Sequence, residues 1–328
     1  LLVRAGPPSG GGEPPFRPVL LSPPPAALRA DGVDSEHLCV VNGGLDGIER
    51  VLGAHLAGGD AVAVEDPGFS AVGDVVRALG LVALPVSIDE CGMLPAALRA
   101  ALRDGARAVV VTPRGQNPTG AALDARRAHE LRTELDPAPA ALLVEDDHLG
   151  PVAGVPARTL SAARRRWSVV RSTSKWLGPD LRLAVLAGDD TTVRRVEGRQ
   201  AVGPGWVSTL AQRAVSALWD DEETLALADQ AATVYAGRRR ALIVALAEHG
   251  LAAAAPSGLN VWVPVPDEEL AVSGLLAAGW AVSAGARFRL RSQPAIRITT
   301  ATLEPVEAAR VAADLAAVLR PVGRTRAA

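Results

Sequence analysis

The chain is almost without lysine. Of its 34 basic residues only one, Lys175, carries an amine, and the rest are arginine. Alanine, glycine and arginine are abundant, the pattern left by a GC-rich coding bias, which turns lysine into arginine wherever charge alone matters. A guanidinium neither loses its proton nor forms an imine, whereas an amine does both. The surviving lysine is therefore a candidate for lysine-specific chemistry, with chance survival as the alternative. Cysteine is scarce as well: Cys39 and Cys91 are too few for a disulfide framework or a cysteine-based zinc site. Neither sign of charge dominates. A formal net charge of −2 argues against nucleic acid as a partner of this chain alone. No apolar run is long enough to cross a bilayer, and residues 1–18, rich in glycine and proline, hold no signal-peptide core. The expectation is a cytoplasmic protein with no membrane partner. Its first residue is leucine rather than methionine, which is read as an upstream piece missing.

A chain of 328 residues, 48% hydrophobic, is too long for one simple core. Residues 1–25 show proline and glycine clusters and little periodicity, as an arm or linker would. From about residue 38, short apolar runs (37–41, 61–64, 81–86, 108–111, 141–144, 168–170 and 183–187) alternate with amphipathic segments (46–56, 70–79, 94–102 and 124–135). Alternating strands and helices predict an α/β fold, a mostly parallel sheet sandwiched by helices. Helices are expected between residues 206 and 249. Strands at 260–265 and around 297–299, with helices at 267–278 and 304–319, then predict a smaller α+β C-terminal domain. The division expected is a shortened N-terminal arm (1–37), a large domain (38–248) and a small domain (249–328).

Ligands of such sheets sit at the carboxyl ends of the strands, and the chemically suggestive residues fall there. Asn42-Gly43-Gly44-Leu45-Asp46 opens a helix, where small residues let backbone N–H groups approach an anion, although a tight turn explains a glycine pair equally well. Phe69 follows Glu65-Asp66-Pro67-Gly68 and offers a face to a flat ring in a chain with only three phenylalanines. Asn117-Pro118-Thr119-Gly120 presents an amide on a rigid turn. Glu145-Asp146-Asp147-His148 gathers three acids that need a cation or a proton nearby; a divalent metal is one reading. It leaves Lys175 and Arg182 unexplained. The segment from Arg171 to Arg182 brings Ser172, Ser174, Lys175 and Arg182 within a dozen residues, and its hydroxyls and guanidinium suit a phosphate. Arg297 interrupts the apolar run Ala295-Ile296-Arg297-Ile298; it faces solvent on an alternating strand or points inward to clamp a carboxylate. Trp206, Trp262 and Arg114 are further candidates for lining a pocket.

Taken together, these segments resemble the fold type I aminotransferases of class I/II, most nearly the aminotransferase-like domain of MocR-type regulators and their stand-alone relatives. The order and spacing agree from about residue 38 to 320. Asn-Pro-Thr-Gly, and Ser-x-Ser-Lys with an arginine seven residues on, are the specific elements. The resemblance implies pyridoxal 5′-phosphate as cofactor, held on Lys175 as a Schiff base, with Lys175 moving the substrate proton. It implies that Asp146 pairs with the ring nitrogen (Asp147 if the register is off by one), Asn117 bonds the ring hydroxyl, and Phe69 stacks on the ring. Gly44, Leu45, Ser172, Ser174 and Arg182 would hold the phosphate, and Arg297 the substrate α-carboxylate. His148 stands where the family has a tyrosine and is expected to bond the ring hydroxyl. The implied function is amino-group transfer between an amino acid and a 2-oxo acid, in a homodimer. The other reading is an effector domain that senses pyridoxal phosphate or its amino-acid adduct with little turnover.

Overall fold

The computed structural model describes residues 26–219 and 221–320. Residues 1–25 of the expected arm lie outside them. The elements run α1 (Ala26–Ala30), β1 (Leu38–Val41), α2 (Gly44–His55), β2 (Ala61–Asp66), α3 (Ser70–Ala78), β3 (Val82–Asp89), β4 (Gly92–Met93), α4 (Pro95–Arg103), β5 (Ala106–Val111), α5 (Ala125–Leu135), β6 (Leu142–Asp147), β7 (Trp167–Ser172), β8 (Ala184–Gly188), α6 (Asp190–Val202), α7 (Thr209–Trp219), α8 (Glu222–Glu248), β9 (Asn260–Pro264), α9 (Glu268–Ala277), β10 (Ser283–Ala284), β11 (Ala295–Thr299) and α10 (Pro305–Leu319).

The first eight strands form one sheet in the order β1-β8-β7-β6-β5-β2-β3-β4. Its middle, from β7 to β3, is parallel; β8 is antiparallel to both β7 and β1, so that β1 runs with the central strands, and β4 is antiparallel to β3. Successive residues of a strand face opposite sides, and the burial follows that rule. Val62 and Val64 join one core with residues of α2, α3 and α6. Ala63 joins the other, with residues of α1, α4, α5 and α7. The last four residues of β5, Ala108-Val109-Val110-Val111, are apolar on both faces because both faces are covered.

The second sheet, β10-β11-β9, is antiparallel. It shares a third core with α9, α10 and the C-terminal half of α8 (Leu242, Ala245 and Leu246). Near its other end α8 sets Ala228 against Leu149, Val152 and Ala153. One 27-residue helix thus packs on both units. Aspartates cap α5, α6, α8 and α9, each accepting from a backbone N–H of the first turn. The N-cap of α2 is Gly43, with no side-chain cap. The open N-terminus of α2 lies where an anion was expected.

Candidate active site

Strand geometry sorts the three acids at the end of β6. Glu145 and Asp147 project to one face and Asp146 to the other. Glu145 accepts from the Leu160 N–H (2.5 Å) and the Thr159 hydroxyl (3.0 Å); burial pushes its carboxyl up to about 7 against those bonds. Asp147 is wholly buried, bound by the Arg114 fork at 2.9 Å on each oxygen and by Arg171 Nε at 2.6 Å. Burial alone would raise it, but Arg171 and Arg114 hold it well below the usual carboxylate range. Asp31, on the turn after α1, completes this network by accepting from Arg171 at 2.5 Å. Asp147 is therefore fully engaged, and Asp146 is the open carboxylate. Among the described residues no three His, Cys, Asp or Glu side chains converge as a metal site would need. The splayed acids explain why.

Asp146 is buried, and its Oδ1 has no hydrogen-bond partner among the described residues. Burial raises its carboxyl, the nearby His148 lowers it and Asp147 raises it further. His148 Nδ1 stands 3.7 Å from Asp146 Oδ2 and is itself without a hydrogen bond. A β-carbon on Gly44 would lie 3.8 Å from Asp146 Oδ1 and 3.7 Å from Ser172 Cβ, so α2 begins directly against both residues.

Gly43 has φ 103°, a conformation that glycine adopts freely. A β-carbon there would stand 2.9 Å from an Arg182 guanidinium nitrogen. Arg182 itself is left-handed, φ 44° and ψ 47°. Ser174 Oγ is buried without a partner, and the Ser174 N–H donates to Ser172 Oγ at 3.3 Å. Small residues, the Ser172 side chain and the Arg182 guanidinium thus meet at the N-terminus of α2, with Ser174 tied to Ser172. Leu45 packs into the core beneath. Lys175 is exposed on the turn that follows β7. That turn is fixed by the Thr173 carbonyl, which accepts from the Trp176 and Leu177 N–H groups, and by the Trp176 indole, which donates to the Ser172 carbonyl.

Arg297 reaches inward rather than to solvent. Its Nη1 donates to Asn117 Oδ1 (3.0 Å) and its Nη2 to Ser283 Oγ (3.3 Å), and the guanidinium lies 4.7 Å above the Phe288 ring. Its Nε is buried and unpaired, and burial lowers its affinity for the proton. Phe69 lines a cleft of about 350 Å³ with Thr112, Arg287 and Phe288; Lys175 and Asp146 are not in its wall. Trp262 meets Phe288 edge-on. Arg114, expected at a pocket, is spent on Asp147, and Trp206 is 52% exposed. Sequence reasoning missed Phe288 and Ser283, which hold Arg297, and the buried Glu65, bound by Thr112 and Gln116 and pushed up to about 7 by burial. Their contacts cross sequence separations that no local pattern reports.

Residues 31–315 match the aminotransferase class I and II family. A curated relative, the vitamin B6 salvage pathway transcriptional repressor PtsJ of Salmonella typhimurium, is 41% identical over 280 residues, covering 84% of this chain and 65% of that protein. The mitochondrial kynurenine/alpha-aminoadipate aminotransferase of Bos taurus is 28% identical over 271 residues, 75% of this chain and 63% of that one. The chain thus spans just under two-thirds of these relatives' length. The kynurenine aminotransferase of Pyrococcus horikoshii, solved in complex with PMP, superimposes with a TM-score of 0.80 at 20% identity, over 89% of this chain and 77% of that one. That likeness reports the fold. The family match over most of the sequence establishes that the chain belongs to the aminotransferases of class I and II.

Proposed function

We propose that the chain binds pyridoxal 5′-phosphate and transfers an amino group between an amino acid and a 2-oxo acid. The observation that carries this reading is where the unsatisfied groups lie. Buried polar atoms are nearly always paired. Of the eight buried side-chain atoms without a partner among the described residues, four belong to Asp146, His148, Ser174 and Arg297. These unpaired groups suit a ligand with a cationic ring nitrogen, a phosphate and a carboxylate.

The residues present fit that cofactor. Asp146 Oδ1 is free to pair with a protonated ring nitrogen. The N-terminus of α2 at Gly44 and Leu45, with Ser172, Ser174 and Arg182, suits a phosphate dianion. Asn117 gives its amide oxygen to Arg297, which leaves its NH₂ as a donor for the ring hydroxyl. Phe69 provides an aromatic face. When bound, the cofactor supplies a ring that takes up the electron pair released at the substrate α-carbon. Lys175 holds the cofactor and carries the α-proton; no other side chain here has a primary amine. Arg297 clamps the substrate α-carboxylate, so the second unit (249–328) orients a substrate whose cofactor rests on the first (38–248).

A homodimer in the cytoplasm belongs to the same reading. Val202, Leu210 and Leu227 are more than half exposed, apolar surface that a second subunit would cover. No helix among the described residues is long and apolar enough to cross a membrane. The repressor named above favours a second reading, an effector domain that binds the cofactor or its amino-acid adduct without turnover. One experiment separates the two. Wild type and Lys175→Ala are titrated with pyridoxal phosphate, and the near-visible absorption is followed before and after adding single amino acids. The expected result is a band in wild type that the variant lacks, converted by at least one amino acid with release of the 2-oxo acid. A band that shifts without product formation supports the effector reading. No band in wild type overturns both.

A further inference from the structure

We propose that His148 is a positioning residue for Asp146: its imidazole sits behind the carboxylate and keeps it ionised for a cationic ligand nitrogen. This rests on the cofactor reading above but departs from the role expected of His148, a bond to the ring hydroxyl. Asp146 is the penultimate residue of β6 and His148 the first residue after it, and the chain turns so that the two side chains meet. His148 Nδ1 lies 3.7 Å from Asp146 Oδ2, inside ion-pair range but too long for a hydrogen bond. The two oxygens are thereby divided, Oδ2 toward the imidazole and Oδ1 beside Gly44, buried and without a hydrogen-bond partner among the described residues. The ring hydroxyl is left to Asn117.

The surroundings show why Asp146 needs such a neighbour. Burial disfavours its charge, and the acids nearest it do the same. Asp147, next in sequence, is ionised between Arg114 and Arg171, whose guanidiniums are committed on the opposite face. Glu65, from the end of β2, also feels Asp146 and is held by Thr112 and Gln116. From α2 the adjoining residue is Gly44 and from β7 it is Ser172, neither of them charged. Among these groups the imidazole alone opposes the burial of the Asp146 charge.

The test begins on the full chain without cofactor. The Asp146 carboxyl is followed by carbon-13 NMR across pH, its signal assigned by its loss in Asp146→Asn. His148→Phe should move the Asp146 midpoint to higher pH, and His148→Arg, which restores a cation, should return it toward the wild-type value. His148→Gln serves in place of the phenylalanine variant should that variant misfold. Pyridoxal phosphate binding is then measured at each pH. In the neutral variants affinity should begin to fall on acidification at a higher pH than in wild type. On the acidic side of both midpoints it should be weaker by roughly tenfold for every pH unit that separates them. An Asp146 midpoint identical in wild type, His148→Phe and His148→Gln overturns the proposal. Failure of wild type to bind pyridoxal phosphate would instead overturn the cofactor reading, because the carboxyl titration needs no ligand.

Discussion

Among the described residues Arg182 is one of two non-glycine residues held at positive φ, and a bulky side chain in that region costs of order 1–3 kcal/mol. The conformation aims its guanidinium at the backbone of Gly43, where a β-carbon would collide with it. Arg182→Gln keeps much of the stem and removes the charge. It should weaken pyridoxal phosphate binding about 10- to 100-fold, as loss of one charge-assisted contact does, and leave the urea midpoint nearly unchanged. An unaltered dissociation constant would remove Arg182 from the phosphate site. At this level much was legible. Lys175 stood out because arginine replaced lysine everywhere else, and Arg297 because a guanidinium broke an apolar strand. Phe288 under Arg297, and the choice between Asp146 and Asp147, were not legible, since they depend on which partners the fold delivers. Arg114 and Arg171 occupy Asp147, with Asp31 accepting from Arg171 from a turn more than a hundred residues away, and Asp146 Oδ1 is left without a partner among the described residues.

The strand β6 puts opposite demands on neighbouring carboxyls, and this gives the protein an unusual dependence on pH. Glu145 is ordinarily near 4.5 but sits at about 7 when folded. Between those values the folded protein keeps a proton that the unfolded chain has released. Stability therefore falls as pH rises through this window and levels off above it. Glu65 adds a second contribution of the same sign. Asp147 works the other way, stabilising above the ordinary aspartate range and losing its contribution as pH falls below it. Glu145→Gln keeps an oxygen for the Leu160 N–H and Thr159 hydroxyl. It should roughly halve the loss of stability between pH 5 and pH 8, a gain on the order of 1–3 kcal/mol at pH 8. Urea unfolding at the two values measures it, and equal losses in variant and wild type would contradict the assignment. Most elements could be read from alternation and periodicity. The exceptions have physical causes. In α6 few apolar residues mark the buried face. The reversed direction of β8, antiparallel to both β7 and β1, leaves no mark in the composition of the strand.

Across the whole molecule, the two sheets are joined by polar clamps that bring Arg297 over Asn117. The Asp66 carboxylate, at the end of β2, accepts from the N–H groups of Leu290, Arg291 and Ser292 and from the Ser292 hydroxyl. The Gly68 N–H donates to the Phe288 carbonyl at 2.7 Å. On the other side Ser257 accepts from the Gly115 N–H and donates to the Gly120 carbonyl, both at 2.8 Å. Asp66→Ala strips the acceptor from three backbone N–H groups at once. It should cost about 2–4 kcal/mol in urea unfolding. It should also raise the KM for the amino acid more than it lowers kcat, because the segment leading to Arg297 loses its anchor. A stability loss with KM unchanged would mean that the clamp serves folding alone. None of these bonds could be read from sequence, because their partners lie up to 226 residues apart.

The scarcity of amines makes the decisive measurement simple. The protein is incubated with pyridoxal phosphate, reduced with borohydride, digested and mapped by mass spectrometry. Reduction fixes the cofactor on whichever amine holds it, and the only side-chain amine in the sequence is Lys175. Stoichiometric phosphopyridoxyl label on the peptide containing Ser172, Ser174 and Lys175, reduced sharply in Arg182→Gln at limiting cofactor, is the result expected. Label confined to the terminal α-amino group, or none at all, would contradict the assignment of Lys175 as the cofactor lysine.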